Sequence, residues 1–254
     1  MNIFGSNTKK KSIVILAGKK SHGPDDNGVH DYPAQARLLH YCLLKSSISD
    51  QIFITRAEND EWPEAEISRA DCLVIISDGR DGDLPYAEAS HLSSPTRINL
   101  IKEVVARGAG IVPIHFATFA SEKDLEMTKE WQGACFQWER NGKRDWYSKI
   151  TWVKGMLDHA TLDHPILNGV EDSPFLEEYY HKLSFHPKTI PLIKVRALPG
   201  DNDTEKVVAW AIDRESGGHS FGTTMMHNLD SLRHNGLRTL ILNGIAWSAG
   251  ISIP

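Results

Sequence analysis

The feature that most constrains this chain is an alternation confined to its first half. Short apolar runs rich in β-branched residues, "SIVILA" (12–17), "QIFIT" (51–55), "DCLVIIS" (71–77) and "AGIVPIH" (109–115), are separated by stretches of helical spacing. "PAQARLLHYCLLK" (33–45) has apolar residues at 34, 38, 39, 42 and 43 with Pro33 in the first turn, and "RINLIKEVVARG" (97–108) ends on Gly108, a natural C-cap. Strands of this length alternating with amphipathic helices predict βαβ units and a parallel sheet.

The second half breaks the rhythm. "KITWVK" (149–154), "EEYYHKLSF" (177–185), "PLIKVRAL" (191–198), "KVVAWAID" (206–213) and "HSFGTTMM" (219–226) all read as β, and helix returns only at "LRTLILNGIAWSAG" (237–250). "DNDTE" (201–205) is a polar turn rather than a domain boundary. The expectation is an α/β fold, a parallel sheet flanked by helices with added antiparallel strands in the second half. Residues 1–11 read as a disordered or tag-like start, and 12–254 as one domain.

Composition narrows the classes of function. A formal net charge of -5 with no basic stripe argues against nucleic acid. No apolar run reaches the ~20 residues that span a bilayer, and "MNIFGSNTKKK" has no apolar segment of a signal peptide, so a cytoplasmic protein is expected. Three scattered cysteines, Cys42, Cys72 and Cys135, fit a reducing compartment. The twelve histidines are the compositional surprise, because several sit at turns.

In open α/β sheets the binding crevice lies beyond the carboxyl ends of the strands. That rule selects the loops Ser21-His22-Gly23, Ser77-Asp78-Gly79, His115-Phe116-Ala117-Thr118 and His227-Asn228. The first loop, "SHGPDDNGVH" (21–30), has glycines at 18, 23 and 28, which is neither a dinucleotide fingerprint nor a P-loop, and Pro24 removes one backbone donor. No nucleotide cofactor is expected. His115 follows an apolar strand where a nucleophile elbow would carry Ser or Cys, so nucleophilic acyl transfer is disfavoured. His22, His30, His115, His181 and His227, with Asp31 and Glu178, offer enough nitrogen and oxygen for Zn²⁺, Mn²⁺ or Fe²⁺, although no fixed ligand spacing such as HExxH binds them together. His181 lies three residues from Glu178, so in a regular strand the two face opposite ways. His159, His164, His186, His219 and His234 read as structural or surface residues. Most of the seven tryptophans read as core, with one or two free to stack on a sugar near the cleft.

Taken in order, "AGKKSHG…HDYPAQARLL" (17–39), "ISDGR" (76–80), "GAGIVPIHFAT" (108–118), "DHPILNGV" (163–170), "LEEYYHKLSF" (176–185), "VVAWAIDRESGGHSFGTTMMHN" (207–228) and "LRTLILNGIAWSAG" (237–250) resemble the ThuA-like (trehalose-utilisation) family. The resemblance runs from Ile13 to about Ile251 and is closest to the branch found beside sugar oxidoreductases. It implies a flavodoxin-like, class I glutamine amidotransferase-like fold. It implies roles for the first-loop histidines His22 and His30, the elbow histidine His115, Glu178 of the Glu-Glu-Tyr-Tyr segment and His227. The chain departs from the pattern after Asp78-Gly79, where "RDGDLPYAEASH" is longer and displaces His91. With histidine at the elbow, glutamine hydrolysis is not available.

The reading that follows is an enzyme of carbohydrate metabolism acting on a sugar or 3-keto-sugar. His115, Glu178 and His227 are its catalytic candidates, and His22, Asp78 and Tyr180 its substrate-binding candidates. His22, His30, His115 and His227 are the candidate ligands of a divalent metal that would assist proton transfer in an isomerase, epimerase or lyase. Whether those imidazoles hold a metal or the sugar directly is left open by the sequence. The alternative is a non-catalytic carbohydrate-binding or accessory protein, and a weaker one an amidotransferase-like hydrolase with another nucleophile. A small-molecule sugar is the expected partner, and a homo-oligomer is compatible with an edge strand in the β-rich half.

Overall fold

A computed structural model describes residues 9–24, 26–79, 91–145, 147–171 and 173–253. The chain runs through β1 (Lys11–Ala17), α1 (Tyr32–Leu44), β2 (Ile52–Ala57), the one-turn α2 (Glu64–Ile67), β3 (Cys72–Ile76), α3 (Pro95–Ala106) and β4 (Gly110–Pro113). Next come β5 (Phe119–Ala120), α4 (Leu125–Gln132), β6 (Ala134–Gln137) and the small hairpin of β7 (Glu139–Arg140) and β8 (Lys143–Arg144). The remainder is β9 (Lys149–His159), β10 (Pro174–His181), β11 (Ser184–Phe185), β12 (Ile190–Val195), β13 (Val207–Asp213), β14 (His219–Thr223) and α5 (Asn235–Ser248).

Nine strands form one sheet in the order β10-β9-β12-β13-β14-β4-β3-β1-β2. The strands β2, β1, β3, β4 and β14 are mutually parallel. From β14 outward, β13, β12, β9 and β10 each pair antiparallel to the strand before. The mixed sheet expected from the two halves of the sequence is therefore present. The order 2-1-3-4 on the parallel side reverses between β1 and β3, which is where such sheets open a crevice.

Alternation along β1 explains the layers. Ile13 and Ile15 face Leu39 and Leu43 of α1 and Leu240, Ile241 and Ile245 of α5. Val14 and Leu16 face the other way, onto Ile67, Ile101, Val104 and Trp131 of α2, α3 and α4. With helices on both faces, β3 is buried along its whole length, which is why "CLVII" shows no polar alternation. Helix ends follow local chemistry. Asp31 accepts from the Ala34 N–H at the start of α1, Ser94 from the Arg97 N–H at the start of α3, and Gly133 (φ 87°) stops α4.

Several expected boundaries shift. β1 begins at Lys11, the last residue of the stretch read as preceding the fold. The "EEYYHKLSF" run divides into β10 and β11 at Lys182, whose φ is 53°. The strand written as 219–226 stops at Thr223, and "AGIVPIH" stops at Pro113. Helices α2 and α4 were not foreseen, being short enough that β-like neighbours masked their spacing. No helix among the described residues is long and apolar enough to cross a membrane.

Candidate functional site

The loops after β1, β3, β4 and β14 meet at the carboxyl edge of the parallel strands. They meet closely because the strand ends do: a Cβ on Gly18 would lie 2.9 Å from Ser77 Cβ, and one on Gly79 only 2.1 Å from the Phe116 carbonyl oxygen. The chain then turns through left-handed backbone at the functional positions themselves, with φ of 58° at His22, 43° at His30, 54° at His115 and 85° at Met226. Non-glycine residues pay about 1–3 kcal/mol for such conformations, and they concentrate where a side chain must be aimed. His115 accordingly sits at an elbow, where Ile114 ends in extended backbone and a 3₁₀ turn spans His115–Thr118.

Three of these loops bring three imidazole nitrogens into one triangle. His30 Nε2 lies 3.1 Å from His115 Nε2 and 3.1 Å from His227 Nδ1, and the last two are also 3.1 Å apart. Backbone hydrogen bonds brace the arrangement. The His30 N–H donates to the His227 carbonyl, and the buried Gln35 amide donates to the carbonyls of Met226 and His227.

The outer nitrogens fix what the inner ones can be. His115 Nδ1 is 2.7 Å from the Thr224 carbonyl oxygen, which only accepts, so Nδ1 carries the proton and Nε2 presents a lone pair. The hydroxyls of Tyr32 and Ser21 both donate to Asp78 Oδ1. Tyr32 can then accept from His30 Nδ1, 2.9 Å away, which leaves His30 Nε2 bare as well. Burial pushes His115 well below the ordinary imidazole range. Burial also lowers His30, outweighing the nearby Asp78 carboxylate, which favours the charged ring. Both rings are neutral at neutral pH, and their lone pairs converge on one point.

The two lone pairs can be met by a hydrogen on His227 Nδ1, by the Tyr180 hydroxyl, or by a cation between the nitrogens. Two imidazoles on adjacent positions of a cation, each ~2.1 Å from it, have nitrogens roughly 2.8–3.4 Å apart. The observed spacing matches, and the carbonyl and Tyr–Asp partners behind the rings are the kind that orient metal-bound histidines. The residues present therefore fit a divalent cation.

The antiparallel side supplies the fourth wall. In β10, Glu178 and Tyr180 share one face and lie opposite Trp152 and Ile150 of β9. Glu178 Oε1 is 3.2 Å from His227 Nδ1 and 3.7 Å from His115 Nε2. Tyr180 is buried, stacks on the His115 ring at 4.3 Å between centroids, and puts its hydroxyl 2.7 Å from His115 Nε2. Desolvation works to raise Glu178, but the hydrogen bond and charge of His227 outweigh it, so its carboxyl lies below the usual range and is ionised. Burial and the neighbouring Glu178 carboxylate push the Tyr180 phenol well up, which keeps it a hydrogen-bond donor.

Not every expected residue joins the triangle. His22 lies on the far side of His30, grouped with Asp78, and its Nδ1 is 2.8 Å from Ser21 Oγ. Two sets of groups lie close enough to share a cation: His30, His115, Glu178 and His227, and His22, His30 and Asp78. Desolvation works to raise Asp78, but the nearby His30 ring and the hydroxyls of Ser21 and Tyr32 that donate to it hold it low. Asp31 caps α1 rather than joining the site, and His181, fully buried, packs against Thr151 on the opposite face from Glu178. His164 and His234 accept from backbone N–H groups at helix starts, a structural use. The divergent stretch 80–90 lies outside the described residues, while His91 is buried beside Ser77.

Sequence reading missed Tyr32, Gln35 and Glu177. The first two were hidden inside a helix whose buried face looked like ordinary core. Glu177 is fully buried and accepts from Ser231 Oγ at 2.6 Å and from the backbone N–H groups of Met226 and Glu178, which ties β10 to the His227 loop. The doubled glutamate was the available signal: in a strand one of the two must point into the core.

Comparison with known proteins agrees with this architecture. A structure of a protein described as ThuA-like from Bacteroides uniformis superposes with a TM-score of 0.65 at 11% identity, covering 96% of this chain and 93% of that one. One from Parabacteroides merdae gives 0.65 at 15% identity, covering 97% and 92%. A cytoplasmic protein of Salmonella typhimurium LT2 gives 0.60 at 14% identity, covering 94% and 99%. At these identities the likeness establishes the fold, the glutamine amidotransferase-like one. No curated protein matches the chain. The family model described as "ThuA: Trehalose utilisation" matches residues 25–248. The chain belongs to that family, and its role is accordingly carbohydrate-related.

Proposed function

We propose that this protein is a cytoplasmic enzyme acting on a sugar or 3-keto-sugar, by proton transfer assisted by a divalent cation, of the isomerase, epimerase or lyase type. The observation that carries the reading is the triangle of imidazole nitrogens with two lone pairs fixed inward. His30, His115 and His227 would hold Zn²⁺, Mn²⁺ or Fe²⁺, with Glu178 beside them. When bound, such a cation polarises a carbonyl or hydroxyl and acidifies the neighbouring C–H.

The protein's own groups do the rest. Glu178, ionised and part-exposed, takes a proton from the sugar carbon and can return it to the other face or to a neighbouring atom. Tyr180 is buried and stacks on His115, which positions that ring beside Glu178. His22 and Asp78 border the opening next to His30 and supply polar contacts to hydroxyls.

The test is metal analysis of purified protein together with turnover of a 3-keto-glycoside. Wild-type protein is expected to carry about one divalent ion per chain. His115→Ala is expected to lose that ion and at least about 10³-fold in kcat/KM. Metal-free wild-type protein with full activity in His115→Ala would overturn the reading.

A further inference from the structure

The glutamate next to the proposed base sits in the less expected place of the two. Glu177 is fully buried, and among the described residues no lysine or arginine pairs with it. A buried carboxylate without a cation is costly, and an apolar side chain of similar volume is often no less stable there. The groups around Glu177 account for its presence, because each of them donates. Its Oε1 accepts from the backbone N–H of Glu178 at 2.9 Å. Its Oε2 accepts from the Met226 N–H at 3.2 Å and from the Ser231 hydroxyl at 2.6 Å.

One carboxylate thus holds the backbone of residue 178 with one oxygen and the residue before His227 with the other. Nothing in the sheet ladder does this, since β9, β12 and β13 stand between β10 and β14 in the strand order. Side chains bridge the gap instead. The Thr224 hydroxyl donates to the Tyr180 carbonyl at 2.9 Å, and Glu177 supplies the link that starts at Glu178 itself. The turn at Met226 has a φ of 85°, which a non-glycine residue keeps only under constraint. Glu177 takes the N–H of that turn. From the other side the Gln35 amide donates to the Met226 and His227 carbonyls, while its own Oε1 stays buried without a partner. A carboxylate is the group that suits the place of Glu177. It offers two oxygens that only accept, whereas an amide would turn an NH₂ toward one of two backbone N–H groups.

Resting on the functional reading above, we infer that Glu177 is a positioning residue whose carboxylate sets the gap between His227 on the parallel half and Glu178 on the antiparallel half. It fixes where the base stands against the cation and acts only through those two residues. Partners behind metal ligands are worth about 10–100-fold in affinity, and a misplacement of about 1 Å at the chemistry can cost about 10²-fold in rate.

The experiment loads the full chain with Co²⁺, whose visible absorption reports ligand geometry, in the wild type, Glu177→Gln and Ser231→Ala. Glu177→Gln is expected to bind Co²⁺ about 10–100-fold more weakly in chelator competition and to shift the Co²⁺ bands. At saturating metal its kcat on a 3-keto-glycoside should fall at least about tenfold with KM unchanged. Ser231→Ala removes one of the three donors and keeps the carboxylate, so it should show the same changes in smaller measure, and it decides the matter if Glu177→Gln does not fold. Wild-type affinity, spectrum and kcat in the folded variant, with only a lower unfolding midpoint, would show that Glu177 merely braces the fold and would overturn its positioning role. A loss confined to KM would overturn it too. If the wild type binds Co²⁺ without turning over the sugar, the enzymatic reading falls, while affinity and spectrum still decide the role of Glu177. If it does neither, both fall together.

Discussion

The two halves of the sheet serve the site in different ways. The parallel half delivers His30, His115 and, from the loop after β14, His227; His30 and His115 sit in left-handed backbone, and each has a partner behind its ring. The antiparallel half delivers Glu178, Tyr180 and Trp152 from regular strand, aimed by alternation alone. The loop histidines His30 and His115 are buried and neutral, while Glu178 is ionised and part-exposed. The difference suggests a division of labour in which bent loops hold and a flat edge reacts, consistent with the precision that supported side chains need.

The sharpest way to break that comparison is Glu178→Gln. If the antiparallel edge does the chemistry, the amide keeps the shape and loses the base. Turnover should fall about 10²–10⁴-fold, the usual worth of general acid–base catalysis, while metal content stays at the wild-type level. Loss of the ion from this variant would show that Glu178 is a ligand, and the two halves would then share one task. Unchanged turnover would show that Glu178 is not the base.

The same comparison explains what could be read from the sequence. The loops were legible because strand ends in a parallel sheet have a known use, and the apolar runs mark those ends. His22, His30, His115 and His227 therefore stood out before any geometry. Sequence does not separate His22 from His30, both first-loop histidines; only the side-chain geometry sets His30 Nε2 against His115 and His227. On the antiparallel side, alternation gives the faces of "EEYY" but not which face meets the histidines. That depends on the order β10-β9-β12-β13, formed by contacts distant in sequence. Trp152 was hidden for the same reason, since tryptophans look alike in sequence and only exposure separates it from Trp131, Trp138 and Trp210.

A smaller effect should separate aiming from holding within the parallel half. Asp78→Asn and Tyr32→Phe leave all three triangle nitrogens in place and remove only the support behind His30. Partners of this kind are worth about 10–100-fold in metal affinity. Competition with a chelating indicator should show that loss for both variants, with a smaller change in kcat once metal is saturating. Neither would alter the far partner of His115, the Thr224 carbonyl. Variants that bind metal as tightly as the wild type would show that strain in the loop suffices to aim His30.

The smallest effect compares two histidines outside the site, one from each half. His91 lies against Ser77 at the end of β3, and His181 ends β10. Each is buried with one ring nitrogen unpaired, His91 Nε2 and His181 Nδ1. Burial lowers each to about 4, so both fold as neutral imidazoles. The unfolded chain protonates them near 6.5, so below that pH the unfolded state binds more protons and is favoured. Their contribution to stability is complete above about 6.5 and is lost as pH falls toward about 4. The slope is up to about 1.4 kcal/mol per pH unit for each ring. Urea titrations at pH 7.5 and 5.0 should show a drop of about 2 kcal/mol per histidine over that window, and His181→Gln or His91→Gln should each make the drop shallower. If only one of the two variants flattens the profile, the other half of the sheet admits water to its buried ring when the ring is charged. That would mark it as the looser of the two halves.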